Sequence, residues 1–268
     1  MNRIQDIRKE DVMKYIKYLV LALLLMPFVA GCGKDNYPGP EETFRGKVID
    51  KGTGEPFQTA NGNTGIRIRM MEYSWSDNPE PYDFYAMQDG TFNNTKIFEG
   101  NYGVTLDGAF VPLGEEIMDI KGTVERTYEV EPLLRVEWVG EPVVNADGTV
   151  DVTVVITRGT DNADYQQDFA EAWLFVSQNQ YCSDANFSGT YSTHITSAVE
   201  FGQPIRIRTG YPNGMPADLD NPGSSTPNYF QPYSTKYFLR VGARTNIQIT
   251  GVNKYNYTTI KEITYQGR

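Results

Sequence analysis

From Thr43 onward, apolar and polar positions of this 268-residue chain alternate in short runs, the period of half-buried β-strands. Phe44, Val48 and Ile49 mark a first strand, closed by the turn-forming run Asp50 to Pro56, DKGTGEP. Ile66, Ile68 and Met70 alternate with Arg67 and Arg69, which puts the apolar set inward. Asp89-Gly90 and Gly100-Asn101 read as hairpin signals. Val124, Tyr128 and Val130 close a first unit that ends at Glu131-Pro132. In a second unit, Leu134, Val136 and Trp138 alternate with Arg135 and Glu137. After an Asp147-Gly148 turn, Val150, Val152, Val154 and Ile156 alternate with Asp151, Thr153 and Thr157, one face in and one face wet. Trp173 to Val176 reads as a central strand, Ile205 and Ile207 alternate with Arg206 and Arg208, and Tyr257 to Tyr265 reads as the last strand. Outside Lys14–Cys32 nothing keeps a helical period and no repeat is visible. The expectation is an all-β protein of two tandem β-sandwiches, 43–132 and 133–268, joined at a hinge near Pro132, each of ordinary size for such a domain.

Lys14 to Cys32, KYIKYLVLALLLMPFVAGC, breaks the pattern. Lysines precede an apolar run from Leu19 to Val29, too short for the ~18 residues of a spanning helix, and small residues follow it. Val29-Ala30-Gly31-Cys32 resembles the lipobox of bacterial lipoproteins. That resemblance implies a signal peptide over residues 1–31, cleavage before Cys32, acylation of Cys32 and a membrane anchor. Met13 is an alternative start to Met1. Residues 32–42 are then a lipidated cysteine and a Pro/Gly/acid-rich tether. Within it Lys34-Asp35-Asn36 resembles the polar export tract of surface-exposed Bacteroidetes lipoproteins.

A second resemblance lies in the first unit. The order GKVID-KGTGEP, IRIRMMEY, QDGTF, IFEGNYGVTL is similar to the seven-stranded carboxypeptidase-regulatory-like, prealbumin-like sandwich. EYSWSDNPEPYDFYAMQDGTFNNTKIFEGNYGV, from Glu72, resembles the Bacteroidetes lipoprotein family DUF3823. In the second unit, Tyr237 to Ala243, YFLRVGA, resembles the penultimate strand of fibronectin type III domains. What the family resemblance implies is an outer-membrane, cell-surface lipoprotein encoded beside SusC-like transporters and SusD-like binding proteins, with no assigned catalytic residues.

The net charge is −10; residues 1–31 carry five Lys and Arg against three Asp and Glu, so their removal takes it to −12. Such a surface disfavours nucleic acid as a ligand. With Cys32 acylated, Cys182 is left without a disulfide partner and reads as a small buried hydrophobe. The single histidine, His194, has no nearby Cys or His and no G-x-S-x-G elbow to serve, so the chain reads as non-catalytic, with no cofactor. Asp161/Asp164 and Asp218/Asp220 offer oxygens at close spacing, but neither matches an EF-hand loop and turn formation explains both, so no metal is expected.

The sharpest candidate chemistry is aromatic. If the register from Ile66 holds, Tyr73 and Trp75 fall on the outer face beside the Pro-rich turn 77–81, with Tyr82 and Tyr85 on the returning strand. Exposed flat rings with polar neighbours suit the C–H face of a sugar. A bulge at Met70-Met71 would instead turn Tyr73 and Trp75 inward between the units. The long Gly210–Thr235 loop adds Tyr211, Tyr229 and Tyr233. The functional expectation is a glycan-binding (or peptide-binding) accessory of a SusC/SusD-like uptake system. The alternative is a spacer, adhesin or transporter accessory with a protein partner.

Overall fold

The computed structural model describes residues 12–20 and 38–267. Residues 12–20 are helical and exposed; Cys32, the expected acylation point, lies outside the described residues. The chain divides into two compact units, Met1–Gly39 and Pro40–Arg268, and every strand belongs to the second.

Seven strands come first: β1 (Glu42–Asp50), β2 (Arg67–Glu72), β3 (Pro81–Tyr85), β4 (Thr91–Ile97), β5 (Gly100–Asp107), β6 (Glu116–Ile120) and β7 (Thr123–Val130). They form a three-stranded sheet, β4-β1-β7, and a four-stranded sheet, β3-β2-β5-β6. β1 is the middle strand of its sheet and pairs with β7 in parallel, Thr43 opposite Thr123 through Asp50 opposite Val130. Phe44, Val48, Ile66, Ile68, Met70, Val104, Phe110 and Ile120 fill the space between the sheets. The parity read from Ile66 holds, with no bulge at Met70-Met71: Ile66, Ile68 and Met70 are buried, while Arg67 and Arg69 face outward onto Asp83 and Asp107.

Two hairpin expectations fail. β3 and β4 flank Asp89-Gly90 but lie in different sheets, and Gly100-Asn101 is no turn but the start of β5, which follows β4 after Phe98-Glu99 and lies in the other sheet. Both connections carry the chain across the sandwich. Gly90 takes a positive φ of 77°, and the main chains of Phe57 and Val48 pack against it so closely that no side chain would fit.

Nine strands follow: β8 (Leu134–Trp138), β9 (Val143–Val144), β10 (Val150–Arg158), β11 (Phe169–Ser177), β12 (Thr193–Ile195), β13 (Pro204–Arg208), β14 (Thr235–Thr245), β15 (Asn256–Tyr257) and β16 (Lys261–Tyr265). One sheet runs β13-β10-β8, with β9 paired to β10 around the Asp147-Gly148 turn. The other runs β12-β11-β14-β15, with β16 also on β14. β11 is central, as its dense apolar run predicts. The expected last strand is instead two, β15 and β16, separated by residues 258–260. Val152, Val154, Ile156, Leu174, Leu239 and Val241 form the core.

The apolar cluster of the first sandwich ends in sequence at Val130, and that of the second begins at Leu134. A third cluster, Ala60 with Phe175, Cys182 and Tyr257, lies in the seam between them. Arg240, fully buried, fills the seam. It donates to Thr59 O (2.8 Å) and Gln88 O (3.2 Å) of the first sandwich and to Thr258 O (2.9 Å) of the second, with its guanidinium 4.4 Å from the Tyr257 ring centre. Burial lowers it to about 10, so it stays charged at neutral pH. Lys254 reaches Gly65 O, and Asn256 joins Leu134 N (3.0 Å) to Ala109 O (2.8 Å). Cys182 is buried beside them, and that burial pushes its thiol up to about 12.

On the outer face of β11, Glu171 accepts from Arg244 (2.7 Å) and Tyr255 and contacts His194 (2.6 Å), whose ring stacks on Trp173. Burial alone would raise the Glu171 carboxyl; the Tyr255, Arg244 and His194 contacts outweigh it and bring it to about 2. Because the folded value lies below the unfolded one, this cluster stabilises the fold above about pH 4.5 and loses that contribution as pH falls toward 2. We expect a loss on the order of 2–3 kcal/mol across that window after allowing for partial screening. Denaturant titrations at pH 6 and pH 2.5 measure it: Glu171→Gln should flatten the dependence, and an unchanged acid slope in that variant would assign the loss to other carboxylates.

Candidate glycan-contact surface

The expected aromatics divide among several places. Tyr73 lies on the outer face of its sheet, half-buried, and donates to Glu115 (2.9 Å). It lies over Gly103, where a Cβ would come within 2.6 Å of the ring, so the glycine lets the ring lie flat. Tyr85 is also on that outer face, opposite Arg67, and borders a hollow with Met87, Tyr181 and Asn186.

Tyr82 sits on the opposite, core-directed face, opposite Met70. It stays exposed because β3 is an edge strand and the sandwich is open there. Its hydroxyl accepts from Asn94 Nδ2 (2.8 Å) on β4, the edge strand of the other sheet. Between the two edges opens a hollow of about 240 Å³, lined by Met70, Glu72, Glu80, Tyr82, Lys96 and Phe98, among others. Trp75, 72 % exposed in the turn after β2, donates its Nε1–H to Glu72 Oε1 (2.9 Å), a carboxylate of the hollow's wall. Trp75 is thus tied through Glu72 to the wall of the hollow that Tyr82 lines, a link that alternation alone would not give. Glu80, Lys96 and Phe98 line the same hollow. The available signal was the even-numbered parity, which puts Glu72 on the core side at a strand end, where a charged residue has to reach open space.

The long loop is ordered by its contacts. Arg206 and Arg208 clamp the nearly buried Asp151, and from there Arg206 holds Asp220 (2.9 Å) and Arg208 holds Leu219 O (3.1 Å). Tyr211 does not present its ring as expected: it is 4 % exposed, because the loop folds back over it with Asn228 bonded to Gly210 (2.9 Å). Tyr229 and Tyr233 remain exposed. Tyr229 borders a polar hollow of about 450 Å³ with Asp147, Arg208, Asp220 and Thr226. Asp218 caps its own turn through Asp220 N, and Asn162 does the same for Asp164 N, so these oxygens serve the backbone. Among the described residues no group of three or more His, Cys, Asp or Glu could hold a metal ion.

Two β-sandwiches joined through a polar seam, with an aromatic-lipped hollow on the first, define an all-β protein of the two-sandwich class. The sequence pattern described as "Protein of unknown function (DUF3823) N-terminal domain" matches residues 42–131. The crystal structure of a DUF3823 family protein from Bacteroides uniformis ATCC 8492 is 31 % identical, covers 84 % of this chain and 99 % of its own length, and superposes with a TM-score of 0.71. The chain belongs to the DUF3823 family. A Bacteroides uniformis structure described as "a putative carbohydrate binding protein" shares the fold at 20 % identity, TM-score 0.64, over 85 % of this chain and 100 % of its own. So does a DUF3823 family protein from Parabacteroides merdae ATCC 43184, at 17 % identity, TM-score 0.58, over 84 % and 100 %. No curated protein matches the chain.

Proposed function

We propose that this chain is a lipid-anchored, surface-exposed outer-membrane protein that binds a glycan at the Trp75–Tyr82 mouth and works beside a SusC/SusD-like uptake system. Trp75 carries the reading: a large indole exposed to solvent yet fixed by its own N–H on a wall carboxylate. A fixed aromatic gives a sugar's C–H face apolar area at low entropy cost. Glu72, Glu80 and Lys96 stand beside it to bond hydroxyls, and the chain's net charge of −10 favours a neutral glycan over a polyanion. The protein described as "a putative carbohydrate binding protein" has the same fold, which accords with this use. The role is binding without turnover.

Affinity gels containing a panel of neutral polysaccharides test it. The chain should be retarded by at least one of them. Trp75→Ala should abolish retardation while its stability changes by less than ~0.5 kcal/mol, as exposed positions do. No retardation on any polysaccharide overturns the glycan reading, and a large fall in stability makes Trp75 structural. Release of reducing ends would overturn the non-catalytic part.

A further inference from the structure

The groove between the sandwiches contains a strand edge that no described strand pairs with. β8 ends its sheet, whose order is β13-β10-β8. Two main-chain bonds set the direction of its amides: Val139 N to Thr153 O (2.8 Å) and Gly159 N to Leu133 O (3.1 Å). In an antiparallel ladder the bonded pairs alternate, so residues 133, 135, 137 and 139 turn their N–H and C=O toward β10. Residues 134, 136 and 138 turn theirs away from it. Leu134 N follows this rule and bonds Asn256 Oδ1 (3.0 Å). No described residue pairs with the outward main chain of Val136 or Trp138. Natural edge strands are commonly blunted by Lys, Pro or a bulge. β8 has none of these within it.

This edge opens into a hollow of about 450 Å³. The turn after β1 forms one wall, with Glu55 and Phe57, and the segment from Asn256 to Thr259 forms another. Trp138 is fastened across the end of the hollow by its Nε1–H on Thr259 O (2.9 Å). The rim charge has one sign left over. Asp50 is taken by Arg135 (2.6 Å), whereas the Glu55 and Glu137 carboxylates make neither a hydrogen bond nor an ion pair with any described residue.

We propose that β8 is a strand-addition site: an extended, basic peptide segment of a partner protein pairs with Val136 and Trp138 in the inter-sandwich groove. Main-chain N–H and C=O groups repeating every second residue match an extended polypeptide, and the two free carboxylates match Lys or Arg on it. A sugar has hydroxyls but no such two-residue repeat. The site is separate from the Trp75 mouth and does not depend on it.

Amide exchange followed by NMR on the full chain, with peptides selected from a random dodecapeptide library as probes, tests the proposal. In the free protein the Val136 and Trp138 amides should exchange faster than those of Arg135 and Glu137. Selected peptides should be enriched in Lys and Arg and should slow exchange at Val136 and Trp138. N-methylation of alternate peptide residues should remove that protection, and Glu137→Lys should weaken binding about tenfold. Trp75→Ala should leave peptide binding unchanged. Protected Val136 and Trp138 amides in the free chain would show the edge already covered, and overturn the proposal. So would failure to select any peptide, or a groove that responds to an oligosaccharide and not to peptides.

Discussion

Arg240→Ala should lower the melting temperature by about 10 °C. The side chain is fully buried, and its removal leaves a cavity in the seam and deprives Thr59, Gln88 and Thr258 of a donor to their carbonyls. Truncating a large buried side chain costs ~3–5 kcal/mol, and each buried acceptor left unpaired adds ~1–3 kcal/mol unless water enters. Relaxation of the seam offsets part of this, so about 3–4 kcal/mol is a reasonable net loss, and a chain of this size loses ~2–4 °C per kcal/mol. Differential scanning calorimetry measures it. A fall of under 2 °C would mean the two sandwiches hold together without this residue. Arg240→Lys should also lose most of the contribution, because an ammonium cannot offer the guanidinium's planar fork to carbonyls on both sides of the seam.

Cys32→Ala should move the protein from the membrane fraction to the soluble one. The argument is chemical. Each buried methylene of an acyl chain contributes ~0.8 kcal/mol, so more than one acyl chain holds a protein where a single chain binds only marginally. Alanine offers no sulfur to acylate. Cell fractionation with detection of the processed chain decides the matter: a Cys32→Ala protein that is cut yet still sediments with membranes would place the anchor elsewhere. The binding behaviour of the released protein should match that of the anchored one, since Trp75 and Tyr82 lie outside residues 32–42 in the sequence.

The strand positions were legible because each sandwich buries one face per sheet, and alternation reports that directly. Ile66, Ile68 and Met70 are the plainest case. Strand partners were less legible. Asp89-Gly90 has the composition of a hairpin turn, but a turn's residues specify its backbone and not which sheet receives the next strand. Arg240 shows a deeper limit. It occupies a polar position in an alternating strand and so reads as solvent-facing. It is buried because the first sandwich covers that face of β14, a fact of packing between distant segments. A signal was present in Phe175 on the neighbouring strand, an apolar residue on the face that should have been wet. Tyr211 failed as an exposed ring for a similar reason, since a loop can hide an aromatic by folding over it.

The parallel pairing of β1 with β7 governs how the first sandwich can form. β1 is the middle strand of its sheet, yet one of its two neighbours lies 80 residues further along the chain. Closing a loop of that length costs roughly 4 kcal/mol of chain entropy before any contact across it is made. Such non-local topologies fold on the ms–s scale. On any route that delivers the chain N-terminus first, β1 waits with an open edge until β7 arrives. In the interval between the two, the open edge of β1 offers unpaired N–H and C=O groups to any other strand, and mispairing there competes with folding.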